Sequence, residues 1–491
     1  TARELRSLLA TSGHFFDRGV PVKLVRPPDG GTPIAMALTV NKVVIEAHNV
    51  CRPMKRKKDE LTAVTLPDRL ARIYLSMPGE WNLPPLVGIC TAPILSADGT
   101  VRIADGYDAE TGLWCSNVPH LAVPTRPSRA DAEAAFGFLR QTFQSFPFAD
   151  APRRTDNSLD MEVVDIAKPP GRDESTFHVA QLTAVCRQSL GLAPGALFAA
   201  PEISGAGSGK GMLVRAISAV AFGNRPRAFT AGGDRSELDK RLAADLIEAQ
   251  PVLFLDNANG RNLRSETLAS VLTERPARVR TLGKTEMVLL NSAAFIAITG
   301  NGLTISEDLA RRFILVELDA RCEDPELRPF PAGFLNQIMQ RRAELLTAVL
   351  VIWRWGRQNT AQLQPGRPLG SFEQWAEWCR DPLIALGCCD PVERIGAIKA
   401  DDPHRRRIVE LFNAWSEHHR DRPVKAADLA EPISALLDPQ GRGRQHIAAR
   451  LAKLENTRAG GFVLTRQRPA GHWGVATYAL VQTNGQPEPS S

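Results

Sequence analysis

No run of about 18 consecutive apolar residues occurs in the sequence, and a membrane-spanning helix needs roughly that many. The first residues, Thr-Ala-Arg-Glu-Leu, contain neither an initiator methionine nor the apolar core of a signal peptide. We therefore expect a cytoplasmic protein that does not interact with membranes. The chain is either part of a longer polypeptide or a processed form, and the sequence leaves both open.

Cysteine is sparse and is spaced unlike a metal site. The eight cysteines are scattered, and the one close pair, Cys388 and Cys389, is adjacent, whereas structural zinc sites use C-x2-C spacing. The sequence therefore predicts reduced and mostly buried thiols.

The composition is that of a soluble globular protein, and 491 residues suggest about three domains. The net charge of +6 is distributed unevenly. Residues 404–480 contain thirteen Lys or Arg against seven Asp or Glu, an excess equal to the surplus of the whole chain. Such an excess in a small region indicates a polyanionic partner.

Turn signals and short apolar runs predict a mixed α/β region over residues 1–150. A hairpin is expected over residues 88–103 around Asp98 and Gly99, and a helix over residues 128–144 that begins at Ser128. The polar, proline-rich residues 150–173 suggest a linker.

Residues 204–211 read Ser-Gly-Ala-Gly-Ser-Gly-Lys-Gly, between an apolar segment at residues 196–200 and a helical pattern from Met212. A strand, a glycine-rich loop, a lysine and a helix are the context of a phosphate-binding P-loop. The loop N–H groups bind phosphate and the lysine neutralises the β- and γ-phosphates of ATP. The predicted nucleotide-binding residues are Gly205, Gly207, Ser208, Gly209, Lys210 and Gly211.

Two positions depart from that pattern, because Ser204 replaces the first glycine and Gly211 stands where Ser or Thr would bind Mg²⁺. For this segment taken alone, a glycine-rich turn without a ligand is the alternative.

Residues 251–257 read Pro-Val-Leu-Phe-Leu-Asp-Asn, with Asp256 placed 46 positions after Lys210. A buried strand that ends in an acid is typical of a Walker B motif, and Asp256 is predicted to hold Mg²⁺ through water. Asn257 occupies the place of the usual catalytic glutamate but cannot accept a proton. Either hydrolysis is slow or another base acts. Glu237, which follows a strand-like segment expected beside the Walker B strand, is the candidate, and an exposed acid at a helix start is the alternative.

Residues 294–301 predict another buried strand, which ends at Asn301 as expected for a sensor residue that orients water. The next helix carries Arg311 and Arg312. One of them is expected to act as an arginine finger on a neighbouring subunit's nucleotide, and the alternative for one of the pair is a salt bridge to Glu307 or Asp308. Four motifs in this order indicate an ATP-hydrolysing core.

Over residues ~235–345 the chain resembles AAA+ helicases of phages and integrated genetic elements, which are akin to superfamily 3 helicases and are often joined to a primase. The similarity rests on Asp256-Asn257, Arg280-x-Leu282-Gly283, Thr299-Gly300-Asn301 and Asp308-Leu309-x-Arg311-Arg312, and it continues through residues 325–330 and 342–345. It implies ATP and Mg²⁺ as cofactors and a homo-oligomeric ring, with a hexamer as the expected form. It also implies a sensor 2 role for Arg342, for which a surface arginine is the alternative.

Two β-rich arms flank Gly283 and Lys284, which predicts a hairpin before the sensor strand. In similar helicases such a hairpin projects into the pore and grips DNA, so Lys284 is the predicted contact, and a solvated turn lysine is the alternative. Arg278 and Arg280 would extend the basic track, and a role at the neighbouring ATP site is the alternative for Arg280.

The C-terminal segment predicts three helices near residues 405–419, 425–437 and 443–456, and two strands near 461–466 and 475–480. This pattern describes a winged helix, which binds DNA phosphates or, alternatively, protein. The predicted DNA-binding residues are Arg444, Arg450, Lys453, Arg466 and Arg468.

The sequence thus predicts an α/β protein with an AAA+ P-loop ATPase core. The expected divisions are an N-terminal α/β domain of unknown role (1–150), the ATPase core (151–364), a helical linker (365–402), a winged helix (403–482) and a tail (483–491). The expected function is an ATP-dependent helicase or translocase on single-stranded and forked DNA, working in replication of a mobile element or phage, with a primase or another replication protein as a further partner. The alternative is a nucleotide-switched DNA-binding or loader ATPase that does not unwind DNA.

Overall fold

A computed structural model of the chain describes residues 1–28, 31–57, 60–158, 160–230, 235–260, 262–280, 287–467 and 475–483. The chain divides into two compact units. The first comprises Thr1–Leu303 and Asp308–Ile395, and the second comprises Thr304–Glu307 and Gly396–Ser491. Within the described ranges, no helix is long and apolar enough to cross a membrane.

The N-terminal part of the first unit is mixed α/β, as predicted. Its helices are Ala2–Thr11, Val40–Val50, Asp68–Leu75 and Arg129–Phe143. Its strands are Phe15–Asp17, Pro21–Val25, Ile34–Ala37, Met54–Lys57, Glu60–Ala63, Gly88–Cys90, Ile94–Leu95, Val101–Arg102, Gly106–Asp108, Leu113–Cys115, Arg153–Asp156 and Met161–Val164.

Two local predictions for this part are confirmed and one is wrong. Ile94–Leu95 pairs antiparallel with Val101–Arg102, and the helix Arg129–Phe143 begins at Ser128, whose hydroxyl accepts a bond from the third helical residue. The expected linker instead contains an antiparallel pair of strands, Arg153–Asp156 and Met161–Val164. The second of these strands buries Met161, Val163 and Val164, which a solvated linker would leave exposed.

The centre of the first unit is a five-stranded sheet. Its strands are β1 (Gly195–Ala200), β2 (Ala228–Phe229), β3 (Val252–Leu255), β4 (Phe295–Asn301) and β5 (Phe313–Glu317). Every pairing is parallel and the spatial order is β2-β3-β4-β1-β5. The strands β1 and β3 are buried along their whole length. This explains their continuous apolar sequences, because a parallel sheet is covered on both faces. The predicted pairing of β2 with β3 is confirmed.

The rest of the chain up to residue 400 contains helices and short pieces, of which Thr304–Ile305 and most of Ile395–Ala400 belong to the second unit. The helices are Arg172–Cys186, Lys210–Phe222, Arg235–Ile247, Glu266–Thr273, Glu307–Ala310, Phe334–Gln340, Arg342–Gln358, Glu373–Trp375, Asp381–Ala385 and Ile395–Ala400. Short 3-10 turns cover Arg187–Ser189, Pro325–Leu327, Thr360–Gln362 and Pro391–Arg394, and Ala376–Arg380 is a π-helix. The remaining short strands are Asn262–Leu263, Ala277–Arg280, Met287–Leu290 and Thr304–Ile305. The predicted helical segment after residue 365 is confirmed, and its Trp375 and Trp378 are buried.

The second unit has three longer helices, Pro403–His418, Glu431–Leu437 and Arg444–Lys453. Its antiparallel sheet has the order Val424–Lys425, Thr477–Gln482, Phe462–Gln467, Arg458–Ala459. Phe412, Trp415, Ile433, Leu451 and Leu480 form the centre of its core. The predicted helices and strands are therefore present, but the second helix begins later than expected because residues 424–425 pair as a strand.

Candidate functional site

The glycine-rich loop connects the carboxyl end of β1 to the helix Lys210–Phe222, as the sequence predicts. Positive φ angles at Gly207 (72°) and Gly209 (98°) turn the backbone through this loop. Gly209 is the N-cap of the helix, and no side chain caps the helix start. The first N–H groups of a helix have no partner within the helix, so this end is suited to bind an anion.

Lys210 is the buried cation of the loop, with 8% of its surface exposed. Its Nζ donates to the Gly205 carbonyl at 2.7 Å and to the Ser208 hydroxyl at 3.1 Å. Burial lowers the pKa of Lys210 to about 8, and the Asp256 carboxylate opposes this shift. Because this pKa is still above 7, the lysine is positively charged at neutral pH.

Asp256 follows β3 directly and lies beside the end of β4. The Thr299 hydroxyl donates to Asp256 Oδ1 at 2.5 Å and accepts a bond from the Asn257 N–H at 3.1 Å. This contact follows from the sheet register, in which Leu255 pairs with Ile298. The Asp256 side chain is 18% exposed, so the carboxylate is held in place while it still reaches solvent.

Asn301 ends β4 and lies against the glycine-rich loop. A side chain at Gly205 would place its Cβ 2.9 Å from Asn301 Oδ1, and Ala200 pairs with Asn301 in the register of β1 and β4. The Asn301 Oδ1 atom is buried and has no hydrogen-bond partner among the described residues. A buried polar atom without a partner is costly, which is consistent with a ligand that would complete the site.

The structure thus brings together four of the predicted residues, Gly205, Lys210, Asp256 and Asn301, at the carboxyl edge of the sheet. In open α/β sheets ligands bind outside this edge. Asn257 is exposed there with a positive φ of 59°.

Glu237 does not join this group. It lies in the first turn of the helix Arg235–Ile247, where it accepts a bond from Lys240 at 2.9 Å and both side chains are 48% exposed. The helix follows β2, which is three strand positions from β1 and therefore about 14 Å away. Glu237 therefore fits the alternative, an exposed acid at the start of a helix, better than it fits the role of a catalytic base.

Arg311 and Arg312 lie at the opposite edge of the sheet. The Arg312 carbonyl accepts a bond from Gly195 N, the first residue of β1, so the pair is separated from the P-loop by the length of that strand, about 17 Å. Asp308 pairs with both arginines. The Arg312 side chain is only 12% exposed, whereas that of Arg311 is 58% exposed. Arg311 is therefore the one better placed to reach another molecule.

Arg342 lies at the far end of the P-loop helix, about 18 Å from its start. Its guanidinium donates to the carbonyls of Thr91 at 2.6 Å, Val220 at 3.3 Å and Ala221 at 3.4 Å. Burial lowers its pKa to about 10. This position corrects the prediction that Arg342 contacts nucleotide: within its own subunit it caps the carboxyl end of a helix, and it is not the surface arginine of the alternative either.

The arms of the predicted pre-sensor hairpin are present. Ala277–Arg280 pairs antiparallel with Met287–Leu290. Arg278 and Arg280 are exposed on the first arm, while Ala277 and Val279 are buried. Gly283 and Lys284 lie outside the described residues.

The predicted DNA-binding residues of the second unit differ in their contacts. Arg444 and Lys453 are exposed on the third helix. Arg450 donates to the Leu437 carbonyl at 2.6 Å, so it joins two helices. Arg466 pairs with Glu455 at 3.5 Å and lies over the Tyr478 ring at 5.7 Å. Arg468 lies outside the described residues.

Sequence reasoning missed several residues at the carboxyl edge. Thr299 and Asn259 bind Asp256 and the Asn301 backbone respectively. The Glu202 side chain lies beside Gly302, where an added Cβ would be 2.8 Å from it. Arg215 pairs with Asp256 at 3.4 Å. Two of these residues left a sequence signal: Thr299 stands in the motif Thr299-Gly300-Asn301, and Arg215 lies four residues after Gly211, on the same face of the helix.

Neither the family models nor the curated proteins that were searched give a match to this chain. Among solved structures, the chain is similar to one described as SCCmec type IV Cch, an active helicase. The identity is 12%, the match covers 95% of this chain and 97% of that chain, and the TM-score is 0.31. What the structure itself establishes is a mixed α/β protein with a five-stranded parallel sheet.

Proposed function

We propose that this protein is an ATP-dependent DNA helicase or translocase with an AAA+ core, active as a homo-oligomeric ring. The observation that carries the proposal is the meeting of Lys210, Asp256 and Asn301 at the carboxyl edge of a parallel sheet, next to an uncapped helix start. A cation, a carboxylate and an amide in this arrangement suit the binding of a nucleoside triphosphate and the positioning of a water molecule.

The residues fit ATP with Mg²⁺. Lys210 and the helix N–H groups would hold phosphate oxygens, and Asp256 would hold Mg²⁺ directly or through water. Bound Mg²⁺ would neutralise charge on the transferred phosphoryl group. Among the described residues, no cluster of three or more His, Cys, Asp or Glu could form a metal cage. This suits Mg²⁺, which usually combines one or two carboxylates with water and substrate phosphates.

A ring is supported by the separation of Arg311 from the P-loop of its own chain. Two large apolar side chains lie next to the loop in an exposed position: Ile203 is 85% exposed and Leu327 is 78% exposed. Leu327 belongs to the turn Pro325–Leu327, which packs closely against the glycine-rich loop. A Cβ added to Gly207 would lie only 2.6 Å from the backbone nitrogen of Glu326 in this turn. A second copy that covers this side would bury both apolar residues and bring its Arg311 to the nucleotide.

DNA is the proposed second substrate. The pre-sensor hairpin, with Arg278 and Arg280 on its first arm, would contact single-stranded DNA in the ring, and Lys284 is the predicted principal contact. The second unit, which we interpret as a winged helix, would add phosphate contacts through Arg444 and Lys453.

ATP hydrolysis by the full chain, measured with and without single-stranded DNA, together with unwinding of a forked duplex, tests this function. We expect DNA to stimulate hydrolysis and the fork to be unwound. In Lys284→Ala we expect basal hydrolysis to persist while stimulation and unwinding are lost. Ser292→Ala, a substitution at the base of the hairpin away from its turn, controls for general damage.

A nucleotide-switched DNA-binding ATPase is the second candidate. It is favoured by Asn257, which cannot act as a base, and by Gly211, which supplies no hydroxyl to Mg²⁺. In that case DNA binding would respond to ATP, but the fork would stay intact and Lys284→Ala would change little. Unwinding at the wild-type rate by Lys284→Ala would contradict the pore-hairpin mechanism.

A further inference from the structure

Arg215 occupies the space that a side chain at position 211 would need. A Cβ on Gly211 would lie 2.6 Å from Arg215 Nη1 and 3.7 Å from Asp256 Oδ1. A Ser or Thr at this position would therefore point towards Asp256, as the usual magnesium-binding hydroxyl does. In this chain the guanidinium takes that place.

Arg215 is held in this position by two contacts. Its Nη2 lies 3.4 Å from Asp256 Oδ2, and its guanidinium lies 5.3 Å from the centre of the Phe254 ring. The Thr299 hydroxyl occupies the other oxygen of the same carboxylate. The side chains of Arg215 and Asp256 are 33% and 18% exposed, so the pair is partly shielded from water. A shielded charge pair is screened less by salt than a surface pair.

We propose that Arg215 is a built-in counter-cation of Asp256, which replaces the missing hydroxyl at Gly211 and reduces the dependence of nucleotide binding on Mg²⁺. The inference rests on the proposed nucleotide site. The departure from the usual motif at Gly211 and the position of Arg215 depend on each other. The absence of a side chain at Gly211 leaves space for the guanidinium, and the guanidinium supplies positive charge beside the phosphate-binding loop. Arg215 is a positioning residue, since it acts on the site through Asp256.

The charge balance gives the expected direction. Without Mg²⁺, removal of Arg215 leaves the Asp256 carboxylate uncompensated next to the triphosphate, so binding weakens. In the presence of Mg²⁺, the metal neutralises Asp256 in the variant that lacks Arg215. Because the metal then no longer competes with a guanidinium for Asp256, the affinity of the variant for nucleotide is kept or increased. The ratio of the Kd in EDTA to the Kd in MgCl₂ should therefore rise when Arg215 is lost.

The test is titration of the full-length protein with the fluorescent analogue mant-ATP, in MgCl₂ and in EDTA. We expect the ratio of the two Kd values to rise about tenfold in Arg215→Ala and Arg215→Gln, the size of one charge-assisted contact. Arg215→Lys, which keeps the charge, should stay close to wild type. Arg225→Ala is the matched control, because Arg225 follows the far end of the same helix and bonds Asn336.

Gly211→Ser provides an independent route, since it displaces the guanidinium without removing it. It should raise the Kd in EDTA in the wild-type background but not in Arg215→Ala. Thermal unfolding of each variant shows whether it is folded, and Arg215→Gln and Gly211→Ser still decide the matter if Arg215→Ala is unstable.

Two failures can be told apart. If wild type binds mant-ATP but the folded Arg215→Ala and Arg215→Gln variants keep its ratio within about twofold, the counter-cation inference is overturned and the nucleotide site stands. If wild type binds mant-ATP in neither buffer, the proposed nucleotide site itself is overturned, and the inference with it.

Discussion

The carboxyl and amino edges of the central sheet are built in opposite ways. At the carboxyl edge Lys210 is buried, Asp256 is fixed by Thr299, and Asn301 lies against the loop. At the amino edge Arg311 is more than half exposed, and it pairs with Asp308, which is exposed to a similar extent. One edge is preorganised and the other is open to a partner. Under the proposed function, each copy would hold a nucleotide with its carboxyl edge and would serve its neighbour's nucleotide with its amino edge.

The largest expected effect is at the carboxyl edge. Lys210→Ala should abolish measurable ATP hydrolysis, a loss of more than about 1000-fold, and should also weaken nucleotide binding, because the phosphates lose their buried cation. Steady-state ATPase assays measure this. Lys240→Ala is the control, since Lys240 is an exposed lysine that pairs with Glu237. Normal turnover by Lys210→Ala would show that the edge is preorganised for something other than ATP.

The next effect is at the amino edge. Arg311→Ala should lower hydrolysis about 1000-fold, the size of an arginine-finger effect, while the Kd for mant-ATP stays near wild type. Arg129→Ala is a matched control, because Arg129 is another exposed helical arginine with an acidic partner. If Arg311→Ala weakens binding and hydrolysis equally, the two edges do not have separate roles.

A smaller effect is expected in the second unit, where DNA binding should depend on the two exposed cations. The double substitution Arg444→Ala with Lys453→Ala should reduce the slope of log K against log salt by about 2. Fluorescence anisotropy at several salt concentrations measures the slope. Arg450→Ala should lower stability and leave the slope nearly intact, because Arg450 bonds Leu437. An unchanged slope in the double variant would favour a protein-binding role for this unit.

The smallest effect on nucleotide binding is expected for Arg342→Ala. Because Arg342 bonds carbonyls at the far end of the P-loop helix, its loss should lower the free energy of unfolding by about 1–3 kcal/mol. The Kd for mant-ATP should change less than about twofold. Denaturant unfolding and titration measure the two quantities. A large loss of affinity in a variant of normal stability would restore the sensor 2 role.

The sequence was sufficient for features that lie in one continuous segment. Lys210 follows its glycines directly, and Asp256 and Asn301 each end an apolar run, so strand and site could be predicted together. Arg342 and Glu237 could not be placed in this way. Spacing along the chain shows neither which end of the P-loop helix Arg342 contacts nor how many strands separate the Glu237 helix from β1. Thr299 becomes part of the site only through the register of β3 and β4. The role of Arg215 could not be predicted either, because it depends on the space beside Gly211, which only the structure shows.

The most direct test of the account is ATP hydrolysis by mixtures of Lys210→Ala and Arg311→Ala proteins. Each variant alone should be nearly inactive. In mixed assemblies, an Arg311→Ala subunit keeps an intact P-loop and can receive Arg311 from a Lys210→Ala neighbour. We therefore predict that activity appears on mixing, reaches a maximum at intermediate ratios and falls at either extreme. Mixtures that exchange subunits and yet remain as inactive as the separate variants would contradict a nucleotide site completed by a second copy.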